Sequence, residues 1–148
     1  MIIKINNKKP ELSEKIYSIF QASYKIEAEL LKATNFPPLR RSISDLLDCN
    51  NTFYAYYIDK NIAGIIEINY SIELTHIQSL VVYPKLFRKG IAKQLVQFVL
   101  TSYTSKVFIV ETGLANYPAI KLYKQFNFQE TKQWDTDHGV RKIRFERS

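Results

Sequence analysis

The chain of 148 residues holds one cysteine, Cys49, and two histidines, His76 and His138. A lone cysteine makes no intramolecular disulfide, and this set without ligand-like spacing does not fill a tetrahedral zinc site, so no metal is expected. Glycine and proline are scarce, at 4 and 5 residues, which excludes collagen-like and linker-rich chains. Internal repeats and low-complexity tracts are absent as well. No run of about 18 apolar residues occurs, and the short apolar start Met1 to Ile5 breaks at Asn6-Asn7-Lys8-Lys9, unlike a signal peptide or membrane span. The expectation is one cytoplasmic domain, residues 1–148, with no membrane partner.

What is present suits a packed core. Hydrophobic residues make up 46% and charged residues 24% of the chain. The 10 Tyr and 9 Phe favour half-buried strands and sites where a ring meets water. The net charge of +7 favours an anionic partner: nucleic acid, a membrane surface or a phosphorylated small ligand. The basic residues fall in short groups (Lys8-Lys9, Arg40-Arg41, Arg88-Lys89, Arg141-Lys142), which scattered solvated charge explains equally well.

Periodicity predicts a mixed α/β fold. Ile2 to Asn6 reads as a strand. Pro10 opens a helix carrying Leu12, Ile16, Ile19 and Phe20 at helical spacing and ending near Tyr24, and Ile26 to Lys32 reads as a second, short helix. Phe36-Pro37-Pro38 breaks it, and Ser42-Ile43-Ser44-Asp45 starts another in the manner of a capping box. Thr52 to Asp59, Ile62 to Ser71 and Leu74 to Val82 read as an antiparallel meander. A loop from Pro84 leads to a helix starting at Gly90 with Ile91, Leu95, Val99 and Tyr103 on one face. Lys106 to Val110 is then a strand buried on both faces. A helix over Asn116 to Phe126 follows, and Gln129 to Trp134 and Arg141 to Glu146 form a last hairpin around Asp135 to Gly139. The sum is a mixed sheet with helices on its faces.

The segment Leu80-Val81-Val82-Tyr83-Pro84-Lys85-Leu86-Phe87-Arg88-Lys89-Gly90-Ile91-Ala92-Lys93 runs from a strand through a basic loop into a helix. A helix start offers unpaired N–H groups and the positive end of the helix dipole, Gly90 allows backbone to approach a ligand, and Arg88, Lys89 and Lys93 add charge. A pyrophosphate suits such a site. Neither G-x-x-x-x-G-K-[ST] nor G-x-G-x-x-G is present. Phe87 to Ala92 instead resembles the Q/R-x-x-G-x-G/A signature of the GNAT superfamily of acyl-CoA-dependent N-acetyltransferases, matching both small positions and departing at Phe87. Val110 to Phe128 resembles that family's E-x-x-x-x-N-x-x-A-I-x-L-Y-x-x-x-G-F pattern through Glu111, Asn116, Ala119, Ile120, Leu122, Tyr123 and Phe128. Asn127 stands where the family has Gly, and Asn is well suited to a left-handed helix cap. The two motifs cover roughly residues 62–128.

The resemblance implies a GNAT-like fold: a mixed, mostly antiparallel sheet whose two parallel central strands splay apart to hold acetyl-CoA. It implies that backbone around Leu80 and Val82 holds the pantetheine and acetyl carbonyl. Arg88, Lys89, Gly90, Ile91, Ala92 and Lys93 would hold the pyrophosphate, and Asn116 would contact the cofactor or simply cap its helix. Tyr123 matches the general acid that protonates the departing thiolate. The amine acceptor must lose a proton before it attacks. Glu111 is the matching base, resembling in its spacing to Asn116 and Tyr123 the catalytic Glu of ribosomal-protein alanine N-acetyltransferases. His76, acting through a water, is a second candidate base, and Glu73 and Glu67 are weaker ones. Tyr54, Tyr56, Tyr57, Arg40, Arg41, Trp134 and Asp137 are candidate linings of the acceptor groove. A homodimer is common in the family, though no residue here marks an interface.

The function expected is acetyl transfer from acetyl-CoA to a primary amine. Two rivals remain open at this point. Phe87 in the signature motivates a non-catalytic acyl-CoA sensor or interaction module. The +7 charge motivates a nucleic-acid-binding protein, for which no recognised motif is present.

Overall fold

Tyr24, Ala28 and Leu31 extend the stripe of Ile16 and Phe20 at helical spacing, with no Gly or Pro between them. In the computed structural model, which describes residues 1–148, they accordingly belong to one helix. This helix, α1 (Pro10–Leu31), replaces the two expected separately. It stops at Lys32, whose φ of 53° is left-handed and whose N–H donates to the Ala28 and Glu29 carbonyls. A 3-10 turn at Pro37–Arg40 follows, then α2 (Ile43–Asp48). Ser42 and Asp45 close the capping box at the start of α2, with reciprocal side-chain to backbone bonds of 3.0 and 2.8 Å.

Seven strands form one sheet: β1 (Ile2–Ile5), β2 (Thr52–Ile58), β3 (Asn61–Asn69), β4 (Leu74–Val82), β5 (Val107–Gly113), β6 (Gln129–Asp135) and β7 (Arg141–Arg147). Their order is β1-β2-β3-β4-β5-β7-β6, so the last strand in the chain lies between β5 and β6. Every neighbouring pair is antiparallel except β4 and β5. The parallel pair is joined through α3 (Ile91–Ser102), and α4 (Tyr117–Gln125) connects β5 to β6. β5 runs to Gly113, three residues past its expected end, because Glu111, Thr112 and Gly113 pair with Arg144, Ile143 and Lys142. No helix is long and apolar enough to cross a membrane.

The strand alternation divides the core between two faces. Ile65, Phe53, Ala55 and Val81 pack with Ile16, Ile19 and Phe20 of α1. Ile66, Ile68, Ile77, Val110 and Phe145 pack on the opposite face with Leu95, Val96 and Val99 of α3 and Tyr123 of α4. A third, smaller cluster of Leu31, Phe36 and Val140 ties the end of α1 to the start of β7. Gly113 makes this closure possible, since a Cβ there would lie 2.5 Å from Leu31 Cδ2. Gly113→Ala is therefore expected to lower stability by about 1–3 kcal/mol, the cost of overpacking, read as a lower urea midpoint at unchanged slope.

Candidate functional site

The parallel ladder between β4 and β5 is short. It runs from Leu74↔Val107 to Ile77↔Val110 and then stops, although both strands continue. At the same point the register of β4 on β3 shifts, from Glu67↔Ser79 to Ile68↔Ile77, leaving Gln78 as an unpaired bulge residue. A bulge bends its strand and adds twist, which turns β4 away from β5. Tyr83 N–H donates to the Ala63 carbonyl, so Val81 and Ser79 also face β3. By the alternation of an antiparallel ladder, the N–H and C=O groups of Leu80 and Val82 point into the gap that β5 has left.

A cleft of about 1420 Å³ opens through this gap, larger than one drug-sized ligand needs. Its lining includes Leu80, Val82, Arg88, Gly90, Ile91, Ala92, Lys93, Glu111, Asn116 and Tyr123. Lys89 and His76 lie outside it. His76 pairs with Ile109 where the two strands are still hydrogen-bonded, before the splay. Burial lowers its pKa, with Glu111 pulling the other way, so it stays a neutral, half-buried imidazole away from the cleft. The structure thus sets this candidate base outside the cleft that Glu111 lines.

On the α3 side the loop is built to meet an anion. Arg88 and Gly90 are both left-handed, with φ of 64° and 79°, and Gly90 is the N-cap residue of α3. No side chain caps this helix, so the first-turn N–H groups are free beside the exposed Arg88 and Lys93. Phe87, also in the cleft lining, is 41% exposed.

Tyr123 lies on α4 at 4% exposure, against Phe128 and Phe145, and its hydroxyl takes no partner from the protein. Burial, followed by the nearby carboxylate of Glu27, pushes its pKa up, so the phenol keeps its proton well into the alkaline range. Glu111 is the first β5 residue past the parallel ladder; its Oε2 is 3.9 Å from Arg144 Nη1. Asn116 caps α4 by accepting from Ala119 N–H at 3.4 Å. Its amide group donates to Glu27 Oε1 at 2.7 Å and Thr112 Oγ1 at 3.3 Å, so the side chain is committed within the protein.

The α1 side of the cleft differs from expectation. Glu67 is fully buried and receives Arg41 Nη1 and Nη2 at 2.7 and 2.8 Å, Asn51 Nδ2 at 2.8 Å and Ser79 Oγ at 2.9 Å. Burial alone raises a carboxyl pKa, yet the bonds from Arg41 and Asn51 outweigh it and hold Glu67 below the ordinary range. It is a structural anion and a poor base. Glu73 is exposed and paired with Lys106 at 3.1 Å. Of the expected groove residues only Arg40 and Arg41 line the cleft. Tyr54 and Tyr56 turn to the α3 face and Tyr57, beyond a bulge, to the α1 core. Trp134 stacks with Lys132 and Asp137 is exposed, both away from the cleft.

Sequence reasoning missed Tyr24 and Glu27, which line the cleft from α1. Reading residues 10–31 as one helix would have set both on the inward stripe with Leu31. The cleft is roofed where the β6–β7 turn meets the chain after α1: Thr34 N–H donates to the His138 carbonyl at 3.0 Å, and Phe36 packs on the His138 ring at 6.0 Å.

The profile of the acetyltransferase (GNAT) family matches residues 13–128. The UPF0157 protein YqkA of Bacillus subtilis is 29% identical over 142 residues, covering 95% of this chain and 41% of the relative. The chain thus spans about two fifths of that relative's length. Among solved structures, the ribosomal-protein-S18-alanine N-acetyltransferase of Escherichia coli superposes with a TM-score of 0.77 at 16% identity, over 99% of this chain and 91% of that one. The PaiA N-acetyltransferase of Thermoplasma acidophilum, in complex with coenzyme A, gives 0.74 at 18% identity, over 97% and 96%. These likenesses establish the fold.

Proposed function

The chain belongs to the acetyltransferase (GNAT) family, and from that premise we propose that it moves the acetyl group of acetyl-CoA to a primary amine. The observation that carries the reading is the splay of β4 from β5 at Gln78, which frees the backbone of Leu80 and Val82 beside an uncapped helix start. The residues fit an acyl-CoA. Gly90, Ile91, Ala92 and Lys93, with Arg88, would bind the pyrophosphate through backbone N–H groups and charge, and Leu80 and Val82 would bind the pantetheine arm. Bound there, acetyl-CoA supplies an activated thioester. Tyr123 holds a proton for the departing sulfur, in a buried position that keeps it protonated. Glu111 stands at the mouth of the splay as the family-matched carboxylate. Asn116, its amide spent on Glu27 and Thr112, is better read as the cap of α4 than as a cofactor ligand.

Excess acetyl-CoA is expected to raise the thermal midpoint, by the equivalent of roughly 2.7 kcal/mol at about 100 times its Kd, while ATP at the same concentration does not. Arg88→Ala/Lys93→Ala should weaken acetyl-CoA about tenfold, roughly 1.4 kcal/mol, without lowering the midpoint of the free protein, since both side chains are exposed. An equal shift with ATP, or none with either nucleotide, would count against the cofactor site. Acetyl-CoA binding without CoA release across a broad amine panel would favour a non-catalytic sensor.

A further inference from the structure

We infer that Glu27 is the carboxylate that takes the proton from the acceptor amine, and that the apolar rim of α1 beside it selects a monoamine carried on an apolar body. This rests on the acetyl-transfer reading and deepens it on the acceptor side.

Four carboxylates line the cleft: Glu27, Asp45, Glu67 and Glu111. Glu67 has both oxygens occupied, by Arg41, Asn51 and Ser79. Asp45 is spent on the cap of α2. Glu111 has a guanidinium within 4 Å. Glu27 has one oxygen held by Asn116, and its other oxygen has no protein partner. The Asn116 bond fixes its direction from the β5–α4 junction, so the free oxygen is an oriented acceptor in the cleft. The groups that face it are Lys142 from β7, Tyr123 from α4 and Tyr24 from its own helix. Burial raises its pKa above the ordinary carboxylate range, with Asn116 and Lys142 opposing, which brings it closer to the pKa of the amine it must deprotonate.

The chemistry balances. An ammonium acceptor gives one proton to the free oxygen of Glu27. The nitrogen lone pair then forms the C–N bond at the thioester carbonyl, and the C–S bond breaks. Sulfur takes the Tyr123 proton, the phenol is restored by the second proton that nitrogen loses as the amide forms, and the proton on Glu27 leaves to water. One proton is released per turnover.

The acceptor class follows from what surrounds Glu27. Ile26 and Leu30, which flank it on α1 at 45% and 48% exposure, line the cleft, as do Pro37 and Pro38. Arg40 and Lys142 also line the cleft, while Arg41 is paired with Glu67, so a polyamine with several charges would meet one free carboxylate and two further cations. A single amine on an apolar body meets the free carboxylate and the apolar rim together.

The test uses the full chain with 2-phenylethylamine and spermidine as probes and CoA thiol release as readout. The wild type should turn over 2-phenylethylamine in preference to spermidine. Glu27→Gln should lower kcat/KM at least tenfold and remove the acid limb of its pH profile, with the acetyl-CoA thermal shift unchanged. Ile26→Ser/Leu30→Ser, on the exposed rim, should raise KM for 2-phenylethylamine at least fivefold with kcat held. A preference for spermidine, no release with either amine, or a Glu27→Gln enzyme within threefold of wild type and with its acid limb intact would overturn the inference. Loss of the acetyl-CoA shift in the wild type itself would instead remove the reading beneath it.

Discussion

Tyr123→Phe is expected to lower kcat by about two to four orders of magnitude, the range seen for a positioned acid or base, and to leave KM for acetyl-CoA nearly unchanged. The hydroxyl takes no partner from the protein, so its removal breaks no internal bond, and the ring keeps its contacts with Phe128 and Phe145. Thermal stability should therefore stay within about 0.5 kcal/mol of the parent, as for a change that leaves no cavity and no orphaned group. The wild-type rate should also hold into the alkaline range, because burial keeps the phenol protonated there. Steady-state kinetics across pH, together with a denaturation curve, checks all three. A Phe variant with undiminished kcat would remove Tyr123 from the acid role.

Arg41→Leu is expected to destabilise the fold by about 3–5 kcal/mol, the cost of leaving a buried carboxylate without its partner. Glu67 has no exposed surface, and Arg41 also lies near the rings of Phe20 and Phe53, 5.8 and 5.9 Å from their centroids. Replacing both residues, as Arg41→Leu/Glu67→Leu, should recover much of the loss, because no charge then remains to be desolvated. The pH dependence has a definite sign. Glu67 titrates lower in the folded chain than in the unfolded one, where its pKa is about 4.3. The pair's contribution is therefore complete above that value and is lost as pH falls through the lower folded pKa. Hydrogen bonding to Glu67 raises the pKa of Arg41, which stays charged throughout. Urea denaturation from pH 7 to pH 3 should show the wild type losing stability that the double variant never had.

The C-terminal half of the site was the most legible part of the chain, for a local reason. The loop at Gly90, the cap at Asn116 and the left-handed Asn127 are each set by neighbours within a few residues. Asn127 takes φ of 65° and donates its N–H to the Lys124 carbonyl, as its chemistry predicts. The acceptor side depends on contacts between residues far apart in sequence: Asn116 with Glu27, Arg41 with Glu67, Thr34 with His138. No periodicity encodes those. Glu27 was hidden by a specific misreading, since breaking α1 near Tyr24 put it on a separate short helix with no defined face. Strand alternation says which face His76 takes but not where two strands part, so its place outside the cleft was not legible. The parting is decided by one extra residue, Gln78, which carries no compositional mark.

The strand order bears on how the chain is made. Of the seven strands, β7 is the last to leave a ribosome and the one that fills the slot between β5 and β6. Until Arg141–Arg147 emerge, the apolar strand Val107–Val110 has a bare hydrogen-bonding edge and β6 has no neighbour. Nascent chains therefore pass through a stage with an open, sticky sheet margin, the kind that chaperones cover and that pairs with other copies. Destabilising β7 should thus show first as lost soluble yield during synthesis, before any change in the chemistry of the finished protein.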